Sequence, residues 1–357
     1  MLATFGDSSH EQLGRDGDPC RPANVRFPPA DHVSDVSLGA SHSVAVTTAG
    51  KVFCWGDADK LGLPAGRTIG CVATVGKPAR VTALRSLRVT QVATTATTTF
   101  AAANDGSVWT WGTPLGVLPH DAEAPHTTTT TVPRLLALMA TPVDMLACGG
   151  LHALMLLRGG DVWVVGDGAR GGLGLGDATT TAPMPRQITG APWQAQEERI
   201  AGVAAGGGHS VALTADGHVY AWGDNRWGQL GVGDTDVRWS PNRISHSPGG
   251  ERAGDLFDGC ARSVCCGDYH TCVVSGEQHV EMPCLLTFGR GQHGQLGHGD
   301  FCDQHLPKVV QALDSFCIGS VAAGGGLGHS HTMVPPLVTH LSVSGFVSAS
   351  RALSVSL

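Results

Sequence analysis

The chain has 357 residues, 42% apolar and 15% charged, with 50 glycines and a formal net charge of −7. Glycine at this share without a three-residue period excludes collagen and points to many tight turns, hence many short strands. The acidic balance and the lack of a basic cluster argue against direct DNA binding through phosphates, and no run of apolar residues is long enough for a membrane span. The 11 cysteines form no CxxC pair and lie mostly in apolar runs (Cys54, Cys148, Cys272, Cys284). They read as buried thiols of an intracellular protein, cytoplasmic or nuclear. The opening residues MLATFGDSSH lack the basic and apolar stretches of a secretory signal.

Taken in order, the chain repeats itself. Leu2 to Asp18 carries Phe5-Gly6 and Gln12-Leu13-Gly14, with Pro22 beyond. The first full unit places Gly39 and His42 before a turn at Ala49-Gly50, then Trp55-Gly56, Leu61-Gly62 and Pro78. The second has the run Thr94 to Thr99 where the glycine and histidine belong, then Asp105-Gly106, Trp111-Gly112 and Pro133, with a loop insertion at Thr127 to Thr131. The third holds Gly149 and His152, Gly159-Gly160, Val165-Gly166, Leu173-Gly174 and Pro185. The fourth holds Gly206 and His209, Asp216-Gly217, Trp222-Gly223, Gln229-Leu230-Gly231 and Pro241. After an insertion at Gly249 to Asp258, the fifth holds Gly267 and His270, an enlarged hairpin, Phe288-Gly289, Gln295-Leu296-Gly297 and Pro307. Val321 to Val334 then repeats only the front half, with His329, and stops at Pro335-Pro336.

Apolar alternation such as Val211, Leu213, Val219 and Ala221 has the period of a strand. The Asp-Gly and Gly-Gly pairs suit hairpin turns that need φ > 0. A single hairpin unit cannot bury its apolar face, but stacked units can. The front half-unit at one end and the back half-unit at the other add up to one unit. The expected fold is therefore all-β: a closed β-propeller of about six, or else seven, four-stranded blades over residues 1–335. One blade is shared between the ends, and 336–357 form a poorly ordered tail.

VAAGGGHSVAL (Val203 to Leu213) and LACGGLHALML (Leu146 to Leu156), followed by YAWGDNRWGQLGVGD (Tyr220 to Asp234), resemble the repeat of the regulator of chromosome condensation family. The resemblance covers Leu2 to about Val334 and implies four-stranded blades, usually seven in that family. It also implies a choice of functions. One is a non-enzymatic protein-interaction scaffold. The alternative is guanine-nucleotide exchange on a Ran-like small GTPase, without a catalytic side chain.

Residues repeated once per unit are expected to be structural: His42, His152, His209, His270, His329, Trp55, Trp111 and Trp222. Exposed arginines and aromatics outside the repeat are the types enriched at binding hot spots. Arg226, Trp227, Arg238 and Trp239 are such residues, with Arg290 and His293 at the corresponding place in the next unit. The partner is expected to be a protein and the chain a monomer. No cofactor is expected. Gly289 to Gly294 matches GxGxxG, but without a following helix it is a repeat copy rather than a dinucleotide site. Gly70 to Lys77 lacks the spacing and hydroxyl of a phosphate loop. Cys260, Cys265, Cys266 and His270 match no zinc spacing, so neither metal nor catalytic residues are assigned.

Overall fold

The computed structural model describes residues 2–4, 9–18, 21, 23–28, 31–63, 74–113, 130–176, 179–244, 259–276, 283–314, 316, 318, 321–326 and 329–333. Phe5-Gly6, Pro22, most of the Thr127 to Thr131 run, Gly70, Gly249 to Asp258, and the tail from 336 lie outside them. Among the described residues there are five four-stranded antiparallel sheets and two two-stranded ones. The two-stranded sheet at the start joins β1 (Leu2–Thr4) and β2 (Ala23–Val25). The four-stranded sheets run in chain order. The first is β3 (Val33–Leu38), β4 (His42–Thr47), β5 (Val52–Asp57) and β6 (Thr74–Arg80). Next come β7 (Val89–Thr94), β8 (Thr98–Ala103), β9 (Ser107–Gly112) and β10 (Thr130–Leu138). The third is β11 (Val143–Cys148), β12 (His152–Leu157), β13 (Val162–Asp167) and β14 (Thr181–Gln187). The fourth is β15 (Ile200–Ala205), β16 (His209–Thr214), β17 (Val219–Gly223) and β18 (Arg238–Arg243). The fifth is β19 (Ala261–Cys266), β20 (His270–Ser275), β21 (Cys284–Gly289) and β22 (Gln304–Val309). At the end, β23 (Ala322–Gly326) pairs with β24 (His329–Met333). Among the described residues one short α-helix, α1 (Pro192–Ala195), interrupts the pattern. No helix among the described residues is long and apolar enough to cross a membrane.

The contacts divide into two compact units, one mainly of residues 1–146 and one mainly of residues 147–349. Within each, consecutive sheets stack face to face. In the first unit, Val44, Val46, Val52 and Cys54 of one sheet share a core with Val89, Val92, Ala101 and Trp111 of the next. In the second unit, Val211, Leu213, Val219 and Ala221 meet Val264, Cys266, Val273, Leu286 and Phe288. The second strands β4, β8, β12, β16 and β20 are consequently buried at all six positions. A strand covered on both faces reads as a continuous run of small and apolar residues, not as apolar-in and polar-out.

The punctuation residues follow from backbone geometry. In the β16–β17 turn, Gly217 N–H donates to Thr214 O and Thr214 N–H to His218 O, with Gly217 at φ +86°. This is a three-residue hairpin loop whose last residue must be left-handed, the place for glycine. Among the described residues the repeated prolines, Pro78, Pro133, Pro185, Pro241 and Pro307, lie in the fourth strands. Pro241 falls inside the register shift between the Ala221–Asn242 and Gly223–Arg238 pairs, and Pro307 inside the matching shift of the next sheet. A residue without an N–H is tolerated at an edge-strand bulge.

Candidate functional site

The repeated histidines and tryptophans form a spine that joins one sheet to the next. His42 Nε2 lies 2.9 Å from Thr99 Oγ1, His152 Nε2 2.6 Å from Ser210 Oγ, His209 Nε2 3.0 Å from Thr271 Oγ1, and His270 Nε2 3.0 Å from Thr332 Oγ1. The hydroxyls of Ser210, Thr271 and Thr332 donate their one proton to the carbonyls of Gly172, Gln229 and Gln295. Each can therefore only accept from its histidine. That fixes the Nε2–H tautomer for His152, His209 and His270. Their Nδ1 atoms are buried without a hydrogen-bond partner among the described residues. Burial holds His42 and His152 at a pKa of about 4 and His209 at about 3, with Lys60 adding to the shift at His42. The imidazoles of His42, His152 and His209 stay neutral at cellular pH.

The glycine three residues upstream makes room for the ring. A Cβ at Gly206 would stand 2.2 Å from His209 Cε1, and at Gly39 2.3 Å from His42 Cε1. The glycine that closes the Gln-Leu-Gly turn packs on the aromatic ring of the next sheet. A Cβ at Gly14, Gly174 or Gly231 would be 2.6 to 2.7 Å from Trp55, Trp222 or Phe288. Trp55 Nε1 donates to Gln12 O at 2.7 Å and Trp222 Nε1 to Gly172 O at 2.9 Å.

One repeat assignment narrows and another shifts. In the second unit, Thr98 occupies the histidine position: Thr95 N–H donates to Thr98 O as Gly39 N–H donates to His42 O. Its hydroxyl turns back to Thr113 O within the same loop end. In the last pair, Gly324 is opposite His331 and Ala323 opposite Thr332. Elsewhere Ala205 pairs with Ser210, the residue after His209. The register therefore sets His331 at the repeat position and His329 two residues before it. The side chains of 329 to 331 lie outside the described residues.

Outside this spine, the loops after β13, β17 and β21 hold the chemically distinctive side chains. Asp224 is nearly buried and binds two arginines, Arg226 (Nη2 at 2.9 Å) and Arg170 (Nη1 at 3.3 Å). Arg238 pairs with Asp234 at 2.5 Å; burial would raise the Asp234 carboxyl, but the Asp236 backbone N–H and then Arg238 hold it below its usual pKa range. Trp239 lies beside Arg238 on β18, its carbonyl accepting from Gly176 N–H. Arg290 lies with its guanidinium carbon 4.9 Å from the centre of the Trp227 ring and 5.7 Å from that of Tyr269. His293 is exposed, and its backbone N–H donates to Gln295 Oε1. The structure thus brings Arg290 and Trp227 together, while Arg238 forms a separate pair.

Sequence reasoning missed Tyr269, Arg170 and Asp224. Tyr269 was visible as an aromatic where Gly208 stands in the fourth unit. The matching of units also changes. Arg290 N–H donates to Tyr269 O as Asp224 N–H donates to Gly208 O and Asp57 N–H to Ser41 O. Arg290 therefore corresponds to Asp224, and His293 to Trp227.

Other chemistry is weaker. Cys265 and Cys272 face each other across β19 and β20. The thiol–thiol hydrogen bond pushes Cys265 up and draws Cys272 down. Both are buried free thiols. Among the described residues no group of three or more His, Cys, Asp or Glu is placed to hold a metal ion. A cavity of about 260 Å³ beside Gln295 is lined by Thr287, His293 and Thr332 among others, with no carboxylate. In the GxGxxG stretch, a Cβ at Gly291 would lie 1.9 Å from Cys302 O. That glycine is required by backbone packing.

Serial four-stranded meanders clasped by a histidine–hydroxyl spine are the blades of a repeat β-propeller. An RCC1-like domain model matches residues 1–334, and the chain belongs to that family. It is 34% identical over 302 residues to the ultraviolet-B receptor UVR8 of Arabidopsis thaliana, covering 83% of this chain and 62% of that protein. It is 30% identical over 305 residues to the human E3 ubiquitin-protein ligase HERC2, covering 82% of this chain but 6% of that protein. The chain thus spans less than two thirds of the length of these relatives. Among solved structures, Prp20p from Saccharomyces cerevisiae aligns with a TM-score of 0.70 at 22% identity, covering 93% of this chain and 77% of that one. Human WBSCR16 aligns with a TM-score of 0.63 at 19% identity, covering 94% and 99%. At these identities the structures establish the fold.

Proposed function

We propose that the chain is a non-enzymatic protein-interaction scaffold, working as an intracellular monomer over residues 1–335. One observation carries this reading. The repeated polar residues are used up inside the blades, while the loops after β17 and β21 hold arginine and aromatic side chains in fixed, partly exposed positions. Loops on a rigid scaffold are where binding residues concentrate, and Trp, Tyr and Arg dominate hot spots. Free thiols at all the described cysteines suit a reducing compartment. Affinity capture with the purified chain, followed by mass spectrometry, tests the reading. It expects a stoichiometric protein partner lost on a Trp227→Ala, Arg290→Ala double substitution.

The second reading is nucleotide exchange on a Ran-like small GTPase. It is favoured by the likeness to Prp20p, whose structure is described together with its binding to Gsp1p and histones. Its test is the release of labelled GDP from a purified Ran-like GTPase. No acceleration by the chain removes it.

A further inference from the structure

The position after the strand-ending glycine is acidic in three of the full units: Asp57, Asp167 and Asp224. Asp57 and Asp224 hold cations there, Lys60 at 2.8 Å and Arg226 at 2.9 Å. In the fifth sheet the same backbone position, marked by the same N–H to carbonyl bond, carries Arg290. The charge is reversed, and the residue matching Arg226 is the neutral Gln292. Gln292 Oε1 accepts from Arg290 Nε at 3.1 Å and Nη2 at 2.8 Å. Arg290 makes no ion pair among the described residues. The acidic side chains that follow it on the same loop are engaged elsewhere. Asp300 pairs with Lys308 at 4.0 Å, and Asp303 accepts from Gly291 N–H at 2.8 Å.

The guanidinium is held in place before any partner arrives. Trp227 and Tyr269 flank it, and Gln292 fixes its edge. A preoriented arginine is suited to bidentate recognition of a carboxylate, and preorganisation lowers the entropic cost of binding. Phe301, 72% exposed, lies on the same loop with its ring next to Gly294.

From this charge reversal we infer that Arg290, with Trp227, Tyr269 and Phe301, docks an acidic, aromatic- or leucine-bearing segment of a partner protein, its carboxylate on Arg290 and its apolar side chain on Phe301. The inference rests on the scaffold reading and names the chemistry of its partner.

The test uses fluorescence anisotropy with a labelled peptide of Glu, Asp and Phe, and its Gln, Asn and Phe counterpart. The full chain is compared with Arg290→Asp and with Arg85→Asp, at an exposed site elsewhere. Arg290→Asp restores the residue type that this position holds in other sheets, so the fold is expected to persist, checked by an unchanged melting temperature. The acidic peptide should bind roughly tenfold or more tightly than its neutral counterpart, more weakly at high salt. Arg290→Asp should cost about tenfold or more, and Arg85→Asp should leave affinity unchanged. Equal binding of the two peptides, no binding, or equal effects of the two substitutions would overturn the inference. So would an oligothymidylate that binds in place of the peptide and is lost with Arg290→Asp. Affinity capture scores the scaffold reading separately. Partners recovered equally by the wild-type and Arg290→Asp chains leave the scaffold standing without this site, and no partner at all removes the scaffold.

Discussion

Glu11 adopts φ +57° in the first Gln-Leu-Gly turn, where the fourth and fifth units place Gly228 at φ +77° and Gly294 at φ +72°. A side chain in the left-handed region carries strain of about 1 kcal/mol or more. Glu11→Gly should therefore stabilise the protein by about 1 kcal/mol in urea titration; a loss of stability would mean that Glu11, whose carboxylate lies over Gly76, earns its place by contact. Gly206→Ala should do the opposite. Its methyl would meet the buried His209 ring and cost about 1–3 kcal/mol by overpacking. Gly206 was legible in the sequence as a repeated glycine, but its reason was not. The collision is with a ring three residues on, and only the fold of the β15–β16 turn brings the two together.

Among the elements, the third strands of the sheets differ in one testable respect. Trp55 and Trp222 donate to loop carbonyls, whereas Trp111 Nε1 is buried with no partner among the described residues. Trp→Phe keeps most of the ring and deletes the N–H. It should cost about 1 kcal/mol at Trp55 and Trp222. At Trp111 it should be neutral or stabilising, because it removes an unsatisfied donor. Equal losses at all three sites in thermal melts would contradict the hydrogen-bond assignment. The strands themselves were legible from turn glycines and aromatic–glycine ends. The alternation within them was less informative than it looked. The second strands are covered on both faces, so residues such as Ala212 and Ser210 are buried along with Val211 and Leu213. Register was also hidden. His329 and His331 both follow a glycine-rich run, and pairing with Ala323 and Gly324 places His331 rather than His329 at the repeat position.

For the whole molecule, the buried histidines make stability depend on pH. His42, His152 and His209 titrate near 4, 4 and 3 in the fold and near 6.5 when unfolded. Between those values the unfolded chain binds more protons, so stability rises with pH. It is fully present above about pH 6.5 and falls as the pH drops towards 4. Each histidine contributes a slope of up to about 1.4 kcal/mol per pH unit. Against a total of roughly 5–15 kcal/mol, the three together should remove more than half of it by pH 4. Melting temperature followed by circular dichroism should drop steeply between pH 6.5 and 5; a flat profile would mean the imidazoles are not held neutral.

The sequence by itself determined the all-β repeat, because turn glycines, edge prolines and ring-ending strands are local requirements repeated along one chain. It also determined the family, since the order of those elements is specific. Only the tertiary structure decided what the repeated polar residues do and which loop residues meet. The histidine–hydroxyl bonds join residues such as His209 and Thr271 in different sheets. Likewise, Arg290 meets Trp227 only when consecutive sheets stack, and Tyr269 only through strand pairing within its own sheet. Reversal of charge at one repeat position was written in the sequence, but it became recognisable only when backbone hydrogen bonds aligned Arg290 with Asp224.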